Sequence, residues 1–186
     1  SAGRISSADV LIRYLESGLC AGMDYLRRHI EKRLDPSVLV AGARSVICLA
    51  AACGPETEDP DSPVSCFYRG RDYHRVLKKR AMLLCDRIRE EASDFRSRIF
   101  VDSAPVAERA LAAGSGLGWI GKNGMLVVPG IGNTVVLAEI VTDLPLPPGK
   151  PLAPRCGECR ACIDACPAAA IVEDGLVDAR RCISYH

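Results

Sequence analysis

MLVVPGIGNTVVLAEIVTD, residues 125–143, decides the fold. It holds two β-rich runs on either side of Pro129-Gly130-Ile131-Gly132-Asn133, a turn composition, and is predicted to form two antiparallel strands. Outward toward the N-terminus, SVICLAA (45–51) is a short continuous apolar run, as a buried strand requires, and Arg98–Val101 is a brief strand. Helical spacing alternates with these runs. Val10, Leu11, Tyr14 and Leu15 share a face before Gly18, and Tyr25, Leu26 and Ile30 share a second face before Asp35-Pro36. Asp72–Glu91 predicts a long amphipathic helix with Val76, Leu77, Leu83, Leu84 and Ile88 inside. Pro105–Gly114 begins with proline and ends with glycine, as a helix should. Gly54–Ser65, rich in Pro, Asp and Glu, reads as a loop. The expected class is α/β in the broad, α+β sense.

Composition agrees with a buried core. Of 186 residues, 48% are hydrophobic and 25% charged, and with only 5% aromatic the core must be mainly aliphatic. Twenty-four Lys and Arg against 23 Asp and Glu leave a net charge of +1, so overall charge argues for neither a nucleic-acid binder nor a membrane-surface protein. No apolar run approaches the ~20 residues of a membrane span. The opening SAGRISSADV has no apolar stretch of the signal-peptide kind, so a reducing cytoplasmic setting is expected. LPLPPGKPLAP (144–154) is the one clear boundary, dividing residues 1–150 from a small cysteine segment, 151–186.

Ten cysteines are present, and five of them, Cys156, Cys159, Cys162, Cys166 and Cys182, fall after that boundary. The first four stand in the spacing C-x2-C-x2-C-x3-C, followed by Pro167. That is the bacterial ferredoxin run, in which two-residue gaps wind three thiolates around one 4Fe–4S cubane and the fourth reaches another cluster. Zinc sites favour separated pairs, often with histidine, and fit this run poorly. Two clusters need eight thiolates and this segment offers five, so either Cys182 completes one cluster, a partner supplies ligands, or the sequence is truncated after His186; truncation is the expectation.

Two further stretches carry chemistry. AGSGLGWIGKNGM (113–125) contains Gly116-x-Gly118-x-x-Gly121, but not between a strand and a helix, so a dinucleotide fingerprint is a weak reading. The alternatives are a tight turn, or backbone approaching a large flat cofactor with Gly121, Lys122 and Asn123 at its edge. VDSAPVAER (101–109) places Asp102 at a strand end, where it either caps the following helix or donates a proton as a buried acid. His74 reads as a structural hydrogen-bonding residue and Cys66 as a small buried one.

Together, YRGRDYHRVLKKR, FVDSAPVAERALAAGSGLGWIGKN, LAEIVTDLPL, CGECRACIDACPAAAI and VDARRCISY, spread from about Gly22 to Tyr185, resemble the epoxyqueuosine reductase family. The resemblance implies a nitroreductase-like, cobalamin-binding α/β domain at 1–150, then a partial ferredoxin-like 4Fe–4S module at 151–186. It implies an oxidoreductase completing queuosine in tRNA, with cobalamin, two 4Fe–4S clusters and an external electron donor. It makes Asp102 the proton donor and places Arg33, Cys66, Asp102, Gly121, Lys122, Asn123 and Ser184 around the cobalamin. The family's second cysteine run and its tRNA-holding repeat domain are missing after CISYH, so autonomous catalysis is not expected of this chain. Two other readings compete. A corrinoid reductive dehalogenase relative would use a tyrosine with a basic residue as its acid, and no such pair stands out in the sequence. A plain electron-transfer module would leave the Gly-rich block and Asp102 without purpose.

Overall fold

A computed structural model describes residues 2–53, 65–68 and 70–186; of Cys66 it describes the backbone alone. The loop expected over 54–65 therefore lies, apart from Ser65, outside the described residues.

The centre is β5 (Val135–Thr142), every residue of which is buried. It pairs antiparallel along its whole length with β1 (Ser45–Ala52), from Ser45 opposite Thr142 to Ala52 opposite Val135. On its other edge it pairs with β2 (Ser97–Phe100), Phe100 standing opposite Glu139. Side chains alternate across a strand, so β5 feeds two separate layers. Val136, Ala138 and Ile140 meet α3 (Tyr73–Glu91) through Leu77, Ala81 and Cys85. Val135 and Leu137 pack with Ala112 of α4 (Glu108–Gly114) and with Leu126 and Val128, while Val141 packs with Phe100 and Val106. A strand covered on both faces reads as a continuous apolar run, which is why β1 and β5 are visible in sequence. Two N-terminal helices, α1 (Ala8–Glu16) and α2 (Ile30–Leu34), cover α4, with Ile5, Ala8 and Leu34 against Ala107, Ala110 and Leu111.

Three expectations are corrected. Residues 125–143 do not form a simple hairpin: the turn closes on a single bridge, Val128 to Gly132. The first run instead supplies β4 (Leu126–Val127), which pairs with β3 (Trp119–Ile120) across the Gly121–Met125 turn. Gly118 permits this, since a Cβ there would collide with the Val127 carbonyl. The helix expected through Tyr25, Leu26 and Ile30 is broken at His29, whose φ of +58° is left-handed. That break leaves a 3-10 turn (Asp24–Leu26) and turns Tyr25 and Leu26 toward a cleft instead of a shared stripe. On α3 the inward stripe follows i, i+4 spacing through Leu77, Ala81 and Cys85, which leaves Leu83 exposed.

Residues 155–186 contain a one-turn helix, α5 (Ala161–Asp164), and a small hairpin of β6 (Ile171–Glu173) and β7 (Leu176–Val177). Hydrogen bonds tie the segment to the body. Gly175 N–H donates to the Lys122 carbonyl (3.0 Å), Ala179 N–H to the Leu19 carbonyl (2.9 Å) and Gly22 N–H to the Tyr185 hydroxyl (3.1 Å). The Pro-rich segment before it is pinned as well: a Cβ at Gly149 would strike the Ser115 carbonyl, and one at Gly116 the Lys150 carbonyl. Among the described residues, no helix is long and apolar enough to cross a membrane.

Candidate functional site

A cleft of about 900 Å³ opens between the N-terminal helices, residues 102–110 and the β6–β7 hairpin. This is at the upper end of ordinary ligand pockets, ~300–1,000 Å³. Its walls are largely apolar, with Val10, Leu11, Leu26, Ile120 and Leu176 among them. Arg33 also lines it; the Arg33 Nε is buried with no hydrogen-bond partner, and its Nη2 donates to the Tyr25 carbonyl (3.5 Å).

Asp102 stands in the wall where β2 ends. Its φ of +47° is left-handed, a conformation that asparagine and aspartate tolerate better than most residues. Two contacts hold it. Its backbone N–H donates to Glu108 Oε1 (2.8 Å), and its Oδ2 accepts from the Tyr73 hydroxyl (2.8 Å). The capping alternative is excluded, because α4 begins after Ala107 with no side-chain cap. His74 stacks on Tyr73, ring centroids 4.0 Å apart, and its Nε2 lies 3.8 Å from Asp102 Oδ2. Its Nδ1 is 2.8 Å from Asp72 Oδ1, so His74 is the hydrogen-bonded residue the sequence suggested. Tyr73 beside His74 is nevertheless a tyrosine–basic pair, which the sequence reading did not find.

Behind Asp102 stand two acids. Glu108 is raised above the usual carboxylate range, chiefly by burial and also by the charge of Asp102. Glu139, in the middle of β5, is fully buried with neither oxygen partnered, and burial, then Glu108 and Asp102, push it up to about 9. It is therefore a neutral acid at pH 7. Burial, followed by the Glu139 charge, also raises the neighbouring Cys48 thiol to about 12, so that cysteine is an inert thiol. Tyr73 is raised by burial and by its bond to Asp102. The site thus offers an exposed carboxyl at a cleft wall, a phenol bonded to it and an imidazole at the surface side, the parts of a proton path.

The other expected residues are placed differently. Gly121 and Asn123 build the β3–β4 turn: Gly121 N–H donates to the Met125 carbonyl (2.8 Å) and Asn123 Oδ1 accepts from Met125 N–H (3.1 Å). Lys122 faces the cysteine segment, its Nζ 3.8 Å from Asp174 Oδ2. Ser184 is exposed, and the Cys66 side chain lies outside the described residues. Tyr73, Glu108 and Glu139 were not singled out in sequence; a glutamate inside the apolar run LAEIV was the one signal available for the last.

The five C-terminal cysteines begin where Trp119 ends. Trp119 Nε1 donates to Cys156 Sγ (3.5 Å), and Ala170 N–H donates to Cys166 Sγ (3.3 Å). Cys166 is lowered from the ordinary thiol range, first by that amide and then by neighbouring ones. N–H groups aimed at sulfur suit thiolates, and all five cysteines are free of disulfides. Among the described residues, no three His, Cys, Asp or Glu side chains stand close enough to share one metal ion, whereas a cubane's ligands are spread around its corners.

These features define a mixed α/β domain with a large cleft, joined to a 4Fe–4S binding segment: residues 155–186 match the 4Fe-4S double cluster binding domain. Residues 33–103 match the domain described as epoxyqueuosine reductase QueG, DUF1730. Both matches, and the relatives that follow, make the chain similar to epoxyqueuosine reductases. It is 44% identical over 177 residues to epoxyqueuosine reductase of Cellulophaga algicola, covering 94% of this chain and 58% of that protein. Its fold is similar to epoxyqueuosine reductase from Streptococcus thermophilus, with a TM-score of 0.87 and 28% identity over 100% of this chain and 52% of that one. It is similar also to an epoxyqueuosine reductase crystallised with an epoxyqueuosine-modified tRNA stem loop, at a TM-score of 0.86 and 34% identity over 99% of this chain and 51% of that one. The chain spans about half to three-fifths of the length of the curated relatives it matches.

Proposed function

We propose that this chain carries the reducing site of an epoxyqueuosine reductase, acting on epoxyqueuosine in tRNA with cobalamin, iron–sulfur clusters and an external low-potential electron donor, in the cytoplasm and without a membrane partner. Residues 1–150 form the cofactor and substrate domain and residues 151–186 the cluster module. The observation that carries the reading is Asp102, held by Tyr73 and Glu108 at the wall of a large, mostly apolar cleft that Arg33 also lines. A corrin is a broad plate with amide edges; the apolar walls suit its faces, and Arg33 suits an edge carbonyl. Cys156, Cys159, Cys162, Cys166 and Cys182 are the cluster ligands this segment supplies. Bound cobalamin supplies the electron-rich metal centre for the reduction.

Converting an epoxide to an alkene consumes two electrons and two protons, and the oxygen leaves as water. This chain's own residues handle the protons. Asp102 presents a carboxyl to the departing oxygen, as a general acid. One carboxyl holds one proton, so Asp102 must be recharged in each cycle. The Tyr73 hydroxyl and the His74 imidazole connect it toward the exposed Asp72. The left-handed backbone, fixed by Glu108, aims the carboxyl and limits its wandering.

Asp102→Asn keeps the shape and removes the transferable proton. In a complete enzyme carrying this site, with epoxyqueuosine-bearing tRNA as substrate, kcat should fall by ~10²–10⁴-fold, while cobalamin titration by its visible spectrum stays unchanged. Wild-type turnover in the variant refutes the role of Asp102. A loaded protein that fails to perturb the cobalamin spectrum refutes the cofactor and leaves an electron-transfer module.

A further inference from the structure

Trp119 and Ile120 are the whole of β3, and their surroundings differ sharply. Ile120 lines the cleft. Trp119, one residue earlier and therefore on the opposite side of the strand, reaches the cysteine segment, where its indole N–H lies 3.5 Å from Cys156 Sγ. The ring is held from several directions. Its backbone pairs with Val127, the close approach at Gly118 fixes the strand before it, and the Arg155 guanidinium stands 5.8 Å from the ring centroid. An indole nitrogen is a donor only, so the polarity of this contact is fixed: hydrogen on nitrogen, charge on sulfur.

We propose that Trp119 is a positioning residue for the iron–sulfur cluster, hydrogen-bonding the ligand sulfur of Cys156 and thereby holding the cluster's reduction potential up, while Ile120 brings the same two-residue strand to the cleft. The inference rests on the reading of Cys156 as a cluster ligand. A reduced cluster carries one more electron, shared with its thiolate sulfurs, than the oxidised one. A donor aimed at one of those sulfurs stabilises the reduced form more, and the potential rises. The contact also fixes where the cluster sits relative to the cleft, because Trp119 and Ile120 cannot move independently. β3 thus sets both the energy and the distance of electron delivery.

The chain contains a single tryptophan, which makes the test specific. Protein grown with indole-15N tryptophan is reconstituted anaerobically, its iron and sulfide are measured, and the reduced cluster is studied by pulsed EPR. A 15N coupling to the cluster is expected. A loaded, EPR-active cluster without it overturns the proposal. Replacing Trp119 by benzothienylalanine, which keeps the ring shape but has sulfur where the N–H was, should leave iron content unchanged and move the midpoint potential to a more negative value. An unchanged potential in that variant, or an equal shift in Trp119→Phe and in an Ile120→Val control, assigns the effect to packing and overturns the hydrogen bond. Wild-type protein that takes up no iron and sulfide overturns the cluster reading itself.

Discussion

Strand β5 and the cysteine segment reach order by different means. All eight residues of β5 are buried, and Ala138, Ile140, Val141 and Thr142 have no exposure at all. In residues 155–186, all of them described, only Ala170, Leu176, Asp178 and Ala179 are buried. The sheet is held by apolar area, at ~1.5–3 kcal/mol for each large side chain removed from water. The cysteine segment has too little of that area. It depends on backbone bonds to Lys122, Leu19 and Gly22, and, in our reading, on metal bound by its thiolates. On this reading the body folds on its own core and carries a module that does not.

The strongest way to break this contrast is to strip the cluster from loaded protein with a chelator and follow amide hydrogen exchange. Protection in residues 155–186 should collapse toward the ~0 kcal/mol opening energy of a frayed segment, while β1 and β5 stay protected. Simultaneous loss in both regions would mean one cooperative unit. Next in size, Ile140→Ala should cost ~2–5 kcal/mol in denaturant unfolding. Val172→Ala, at a half-exposed position in the module, should stay within ~0.5 kcal/mol.

Glu139 sharpens the comparison from inside the body. Its carboxyl is raised from 4.5 to about 9 in the folded chain, so between those values the folded state holds a proton that the unfolded state has released. Wild-type stability should therefore fall as pH rises through that window, by at most on the order of 1 kcal/mol per unit. Glu139→Gln has no such proton to keep. The stability gap between variant and wild type should be small at pH 4.5 and widen up to pH 9, read from melting temperatures across pH; a constant gap would show that Glu139 is not a buried neutral acid. A small effect also belongs to the join between the regions. Asp174→Asn breaks the pair with Lys122, and because Asp174 is exposed the cost should be ~0–1 kcal/mol and fade in salt.

The same contrast explains what could be read in advance. β1, β5 and α3 were legible because their burial is written as apolar runs and helical spacing, with Asp72 marking the start of α3. The cysteines were legible because cluster ligation fixes their spacing. Asp102 was singled out only by the resemblance, since residue type and position allowed a cap as readily as a buried acid; the structure removes the cap, and it leaves the carboxyl exposed where burial was expected. Leu126-Val127 has no preference of its own between Trp119-Ile120 and the run beyond Pro129; close backbone approach at Gly118 decides it. The break at His29 lies in a stretch whose side chains suit a helix, and tertiary demand at the cleft overrides that preference.

The reciprocal contact of Gly149 with Ser115 and of Lys150 with Gly116 changes what the Pro-rich stretch is mechanically. A free tether of that composition would let its cargo sweep a wide sphere. Clamped at Lys150, it leaves five residues, 151–155, before Cys156, a leash of ~20 Å even at full stretch. However loosely the module is docked when its metal is absent, the first sulfur stays within that radius of the glycine loop. Redocking after an excursion would be a short-range search at high local concentration, and under the proposed function electrons entering through the module would arrive at the same doorway.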